Sequence, residues 1–283
     1  MVRVRPLLMA SHPGPCLAIT ALATVLAAEA APGGIGPLLT APALLAGQLS
    51  VGWSNDACDA PRDIAAGRAD KPAARGEVSV RSLWTAAVTA LLVAVVLSAA
   101  ISLVTLGVNA LLIAAAWAYN LGLKSTAWSG LMYLLGFAPL PAYAASTLPG
   151  QPAPRLVVCV AAGLVGLGAH FANVLPDLAA DLRTGVRGLP QLVAARWGPA
   201  AARAAALVLL LSASVLLVIA ASPARRWVAV AGLCCSLVLA VTGTLGRGRT
   251  PFRAALAIAA VDVAVFVFGA ETLTGAQLSG AAG

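Results

Sequence analysis

The chain has 283 residues, of which 60% are apolar and only 10% charged, and it carries a net charge of +8. Soluble domains carry roughly 25% charged residues, and a mean hydropathy of +0.93 leaves little polar surface to face water. Disorder is excluded because disordered chains are poor in apolar residues, and a disulfide scaffold by five cysteines without CxxC or metal-type spacing. Nucleic-acid binding is not expected either, since the 18 Lys and Arg residues lie between apolar runs rather than along a solvated stripe. The composition points to an all-α, polytopic membrane protein.

A transmembrane helix needs roughly 20 mostly apolar residues. Breaking the chain at Pro, Gly and charge clusters gives nine such spans, at 14–31, 35–53, 82–104, 107–123, 127–146, 155–175, 201–221, 226–246 and 252–271. The stretch from Ser82 to Leu123 has no charge and is too long for one crossing, so a tight turn is expected near Gly107 and Asn109. The basic residues test the count. With the N-terminus cytoplasmic, one side holds Arg3, Arg5, Arg62, Arg68, Lys71, Arg75, Arg81, Lys124, Arg183, Arg187, Arg196, Arg203, Arg247, Arg249 and Arg253; the other holds only Arg155, Arg225 and Arg226. So strong a bias follows the positive-inside rule. It predicts nine membrane-spanning helices, with the N-terminus cytoplasmic and the C-terminus on the opposite face. Arg3, Arg5 and the later Ala28-Glu29-Ala30 imitate a cleaved leader. The interruption Ser11-His12-Pro13-Gly14-Pro15 argues against that reading.

Seven of the ten acids fall in two places. Asp56, Asp59, Asp63, Asp70 and Glu77 follow the second span, and Asp177 and Asp181 follow the sixth. The two segments, 54–81 and 173–200, are both cytoplasmic in this topology. Asn55-Asp59-Asp63 and Asn173-Asp177-Asp181 repeat the same spacing at a constant offset of 118. Positions i, i+4 and i+8 lie near one helix face, so each set predicts an oxygen-rich stripe. Asp56 lies about 100° round the helix from Asn55, and its counterpart is Val174, which makes it the least necessary acid.

Two facing stripes of carboxylates repel unless cations sit between them. Hard divalent cations prefer oxygen ligands, and Mg2+ is usually shared between one or two carboxylates and substrate phosphates. The candidate metal ligands are Asn55, Asp56, Asp59, Asp63, Asn173, Asp177 and Asp181. Arg68, Lys71, Lys124 and Arg183 are interleaved with them, and suit phosphate oxygens. Acids for metal and bases for phosphate, at the mouth of an apolar bundle, describe a site for a diphosphate with a hydrophobic tail.

At this point the residues resemble the UbiA superfamily of intramembrane prenyltransferases. The segment from Asn55 to Asp63 matches that family's NDxxDxxxD pattern, and Gly67 to Pro72 looks like its DKP-type continuation. Tyr119-Asn120-Leu121-Gly122-Leu123-Lys124-Ser125-Thr126 resembles its YNxxLKxT segment, and the second acidic segment resembles its second Asp-rich loop, with Val174 in place of an acid. The resemblance implies a nine-helix bundle around a central cavity, as a single domain over residues 1–283, in which Asp59, Asp63, Asp177 and Asp181 carry catalysis through Mg2+, with Mn2+ as a substitute. It adds Tyr119 and Asn120 to Arg68, Lys71, Lys124 and Arg183 as diphosphate contacts. An isoprenyl diphosphate would ionise to an allylic cation, which a small hydrophobic or aromatic acceptor attacks. Aromatic faces could stabilise that cation, and Trp53, Trp84, Trp117, Tyr119, Trp128, Tyr133 and Phe171 are the candidates.

His170, one turn before Asn173, is a candidate acceptor-site base. His12 is read as interfacial, and Asp262 as a costly acid inside the ninth span. A terpene cyclase on the same scaffold is the alternative, with the substrate's own double bond attacking the cation. A cation transporter is disfavoured, because transport sites lie near the bilayer midplane and both acid clusters lie at helix ends. The acceptor, the prenyl chain length and the oligomeric state are open at this level.

Overall fold

The computed structural model describes residues 4–30, 36–65 and 67–269, and these form helices and turns without a strand. The helices are α1 (Val4–Met9), α2 (Pro13–Ala30), α3 (Gly36–Ala65), α4 (Val80–Ile101), α5 (Leu103–Asn120), α6 (Ser129–Phe137) and α7 (Leu140–Ser146). They continue with α8 (Leu156–Val174), α9 (Leu178–Thr184), α10 (Leu189–Trp197), α11 (Pro199–Ala220), α12 (Arg226–Leu245) and α13 (Thr250–Phe268). Six of them, α4, α5, α8, α11, α12 and α13, are long and apolar enough to cross a membrane. The chain is an integral membrane protein. Each of the nine expected spans falls on helical structure, although residues 31, 35, 270 and 271 at their ends lie outside the described residues.

Local chemistry sets the breaks. The first turn is made by His12, whose φ of 56° is left-handed, and Pro13 then opens α2 at a position where a missing N–H costs nothing. The segment that imitates a leader is built into the bundle: Leu26 and Ala27 are fully buried against Ala144 and Ala145 of α7. The turn expected at Gly107 and Asn109 is instead at Ser102. That residue is extended (φ −170°, ψ 163°), and its hydroxyl accepts from the Thr105 amide at 2.9 Å while its own amide closes α4 on Ser98. Asn109 stays inside α5, where its amide donates to Ser98 Oγ at 2.8 Å. A serine cap on both helices thus outcompetes glycine and asparagine as the turn former. The fifth span is two short helices, α6 and α7, parted at Ala138 and Pro139; proline at 139 and again at 141 removes the amides a continuous helix would need.

The interior is built largely from alanine. Ala202, Ala206, Ala213 and Ala255 are fully buried with Leu210 and Ile258 where α8, α11 and α13 meet. A Cβ on Gly168 would stand 2.7 Å from Leu210 Cγ. Small residues of this kind let helix backbones approach in lipid, where burial alone gives little drive to associate. The helix α3 has 30 residues, about 45 Å at ~1.5 Å per residue. That exceeds a hydrocarbon core of about 30 Å, so the turns carrying the first acidic motif extend beyond the apolar part of the helix.

Candidate active site

The helix α3 runs unbroken through Pro61, so the first acidic stripe forms as the spacing predicts, with Asn55, Asp59 and Asp63 on consecutive turns. Asp63 is buried and Asp59 half-buried. Asp59 Oδ1 accepts a close hydrogen bond from Lys124 Nζ and lies 3.5 Å from Arg62. Lys124 reaches it from a single 3-10 turn, Leu123–Ser125, that follows Gly122 at φ 144°. Only glycine takes that φ readily, which is why α5 can stop and turn a lysine back toward α3.

The second motif is not one helical face. After Asn173 the helix α8 ends at Val174, and Asp177 stands at the start of α9 with Asp181 one turn inside it. Pro176 lies in the gap, where its ring and missing amide break the helix. The two motifs nevertheless act electrostatically on the same neighbours. Arg68 lies in the field of both Asp63 and Asp177, and Tyr119 in that of both Asp59 and Asp181. Asp181 also accepts from Gln191 Nε2 at 2.8 Å, which ties it to α10. Gly188 permits this close fit, since a Cβ there would stand 2.6 Å from Gln191 Oε1 and 2.9 Å from the Lys124 carbonyl. Arg68 forks onto Asp70 at 2.8 and 2.7 Å, and its guanidinium holds that exposed carboxyl down at about 2.

Three candidate residues have different surroundings from those expected. Asp56 is buried at 3% exposure, and its Oδ1 accepts from both His12 Nε2 and Lys71 Nζ at 2.7 Å. Burial would raise its pKa, but the bonds from His12 and Lys71 outweigh that and hold it below the ordinary value. Asp56 and Lys71, expected as a metal ligand and a diphosphate contact, hold one another in this structure. Asn120 is buried as well, and its amide donates to the Val51 carbonyl at 3.0 Å and to Ser54 Oγ at 2.9 Å. These bonds brace α5 against α3. Arg183 is exposed on the last turn of α9.

The aromatic candidates divide into two groups. Trp53 and Trp84 pack around Leu83 and Val78, and Trp84 lies 6.0 Å from Trp117. Tyr119, Tyr133 and His170 form the second group, beside the acids. Tyr133 is edge-on to Tyr119 at 5.2 Å and stacked on His170 at 4.3 Å. Phe171 is buried 6.3 Å from His170, and Trp128 is exposed. His170 Nε2 is 2.9 Å from Ser129 Oγ, which also accepts from the Leu189 amide. No spacing in the sequence signalled that link.

Among the described residues no three Asp, Glu, His or Cys side chains converge into a preformed metal cage. The donor set is still that of a hard cation: carboxylate and amide oxygens from the three helices α3, α8 and α9. Positive groups lie close by, Lys124 on Asp59 and Arg68, paired with Asp70, in the field of Asp63 and Asp177. The residues fit a site that gathers cations and an anionic ligand together.

A model of the UbiA prenyltransferase family matches residues 16–275. The chain belongs to the UbiA prenyltransferase family. No curated protein matches it at the sequence level. Among solved structures, one concerning digeranylgeranylglyceryl phosphate synthase in membranes has a TM-score of 0.74 at 15% identity, over 96% of this chain and 100% of that one. A UbiA homologue from Archaeoglobus fulgidus bound to GPP and Mg2+ has a TM-score of 0.69 at 14% identity, over 95% and 100%. An apo UbiA homologue from Aeropyrum pernix K1 has a TM-score of 0.65 at 18% identity, over 95% and 99%. At these identities the likeness is one of fold, and the UbiA fold accounts for almost the whole length of the chain.

Proposed function

We propose that this UbiA-family protein transfers an isoprenyl group from an isoprenyl diphosphate to a small hydrophobic or aromatic acceptor, with Mg2+ held between its two acidic motifs. The observation that supports this reading is that Lys124 holds Asp59 while Arg68, paired with Asp70, lies in the field of one acid from each motif. Asn55, Asp59 and Asp63 would hold metal from α3; Asn173, Asp177 and Asp181 would hold it from α8 and α9. Bound there, Mg2+ supplies Lewis-acid stabilisation of the departing diphosphate. Lys124 and Arg68 turn from the carboxylates to the diphosphate oxygens, where negative charge grows as the C–O bond breaks. The faces of Tyr119 and Tyr133 lie beside the acids, so they stabilise the allylic cation and help keep out the water that would quench it. The GPP and Mg2+ bound by the Archaeoglobus fulgidus homologue support this assignment.

Geranylgeranyl diphosphate added alone to membranes containing the protein tests transfer against cyclisation. Transfer predicts no hydrocarbon or terpene alcohol without a co-substrate, and product once a benzoate or quinol acceptor is added. A cyclic hydrocarbon from the diphosphate alone would replace the transferase reading with the cyclase.

The nine-crossing topology, with N-terminus and acidic mouth cytoplasmic, forms part of the same proposal and rests on the charge bias. Reporter fusions after Arg75 and at Gly283, the latter outside the described residues, are expected on opposite faces. Both reporters on one face would remove the nine-crossing topology.

A further inference from the structure

Asp56 is the one acid of the first motif without an acidic counterpart in the second, where Val174 stands at the equivalent place. Its surroundings differ as well. It is 3% exposed, and a single oxygen, Oδ1, takes both His12 Nε2 and Lys71 Nζ at 2.7 Å, with those two nitrogens 3.3 Å apart. A dication on that oxygen would have to displace two donors and sit against an ammonium group. His12 comes from the corner between α1 and α2, and that corner is fitted to α3 at several points. A Cβ on Gly52 would stand 2.0 Å from the Ser11 carbonyl oxygen, Trp53 Nε1 donates to the Leu7 carbonyl at 2.8 Å, and Cys16 Sγ lies 3.3 Å from the Gln48 carbonyl. Beneath Asp56, Ala10 of the corner shares a buried cluster with Ala57 and Ala60 of α3 and with Ala73 and Val78 of the loop. Corner, helix and loop thus converge on one carboxylate.

We propose that Asp56 is withheld from the metal and, with His12 and Lys71, locks the first Asp-rich loop to the N-terminal corner, so that His12 is a positioning residue for the diphosphate site. The proposal rests on the reading of that site as one for metal and diphosphate. Lys71 is three residues from Arg68, so seating Lys71 fixes the segment that carries Arg68 between Asp63 and Asp177. The second motif has no such corner to hold, which accounts for Val174. Asp56 is therefore not the dispensable acid that its angle on the helix suggests, because its removal leaves Lys71 half-buried without its partner.

The test uses the full chain purified in detergent, with His12→Ala, His12→Gln, Asp56→Asn and Asp59→Asn. Losing a hydrogen bond to a charged group changes an equilibrium by about 10-fold or more. His12→Ala is therefore expected to speed tryptic cleavage after Arg75 about 10-fold, with His12→Gln, which keeps a donor, recovering most of the protection. Steady-state kinetics should show the same change as a raised KM for the prenyl diphosphate with kcat little altered. Mn2+ binding in the presence of inorganic pyrophosphate, read by EPR, should stay within about 2-fold of wild type in Asp56→Asn and fall about 10-fold or more in Asp59→Asn. Equal loss of Mn2+ in both variants, or an unchanged tryptic rate in His12→Ala, would overturn the lock. Wild-type protein that binds no Mn2+ with pyrophosphate, yet shows the His12-dependent protection, would sustain the lock and sink the metal–diphosphate reading instead.

Discussion

Asp59→Ala and Asp177→Ala are each expected to take prenyl transfer below detection, as is excess chelator acting on the wild-type protein. Asp59 lies half-buried on α3 and Asp177 at the start of α9, so one variant from each side asks whether both motifs serve a single centre. Coulomb repulsion makes facing carboxylates unfavourable without intervening positive charge. Lys124 and Arg68 offset part of it, but neither carries the double charge that stabilises a leaving diphosphate. Removing either carboxylate leaves Mg2+ with fewer oxygen ligands and no compensating donor, so the loss should appear in turnover at any substrate concentration. Adding Mg2+ back after chelation should restore activity to wild type and not to either variant. Wild-type turnover in chelator would refute the metal mechanism, and full activity in Asp177→Ala alone would confine it to the α3 acids.

Lys124→Ala is the second large effect. This lysine is held on Asp59 by a tight turn and has little freedom to act elsewhere. A diphosphate bound here would compete with Asp59 for the ammonium group, and Asp59 would then be free to hold Mg2+. Charge-assisted bonds of this kind contribute roughly 1.5–3 kcal/mol, so kcat/KM should fall on the order of 10- to 150-fold. Lys124→Arg should recover part of the loss, because a planar fork keeps the charge but not the compact geometry. Kinetics with a water-soluble short-chain diphosphate read both variants. Wild-type kcat/KM in Lys124→Ala would remove this lysine from the site.

The parts of the fold that follow from periodicity were legible in the residues. Long apolar runs gave the helices, and a repeat at a constant offset of 118 gave two acidic motifs that the fold brings together. What was not legible depends on competition between neighbours. Ser102 takes the turn from Gly107 because one hydroxyl and one amide there serve two helices at once. Pro61 stays within α3 whereas Pro176 separates α8 from α9, and identity alone does not distinguish the two prolines. The site shows the same division. Asp59 with Lys124 follows from chemistry and spacing, but His12 on Asp56 joins residues 44 apart through a left-handed corner that no local pattern announces. Its signal was a histidine just before the Pro13-Gly14-Pro15 break, which on its own reads as a helix end at the interface.

The join at Ser102 has a mechanical consequence. A single extended residue links α4 to α5 at the end remote from the acidic motifs, whereas at the other end α4 follows a loop tied by Lys71 to α3 and the N-terminal corner. Two rods sharing so short a hinge cannot slide along one another; they can only splay, and the widening is greatest farthest from the pivot. The pair α4 and α5 is therefore built like a clothes-peg, with its spring at Ser102 and its jaws at the acidic end, where the grip of Lys71 on Asp56 sets how far they open.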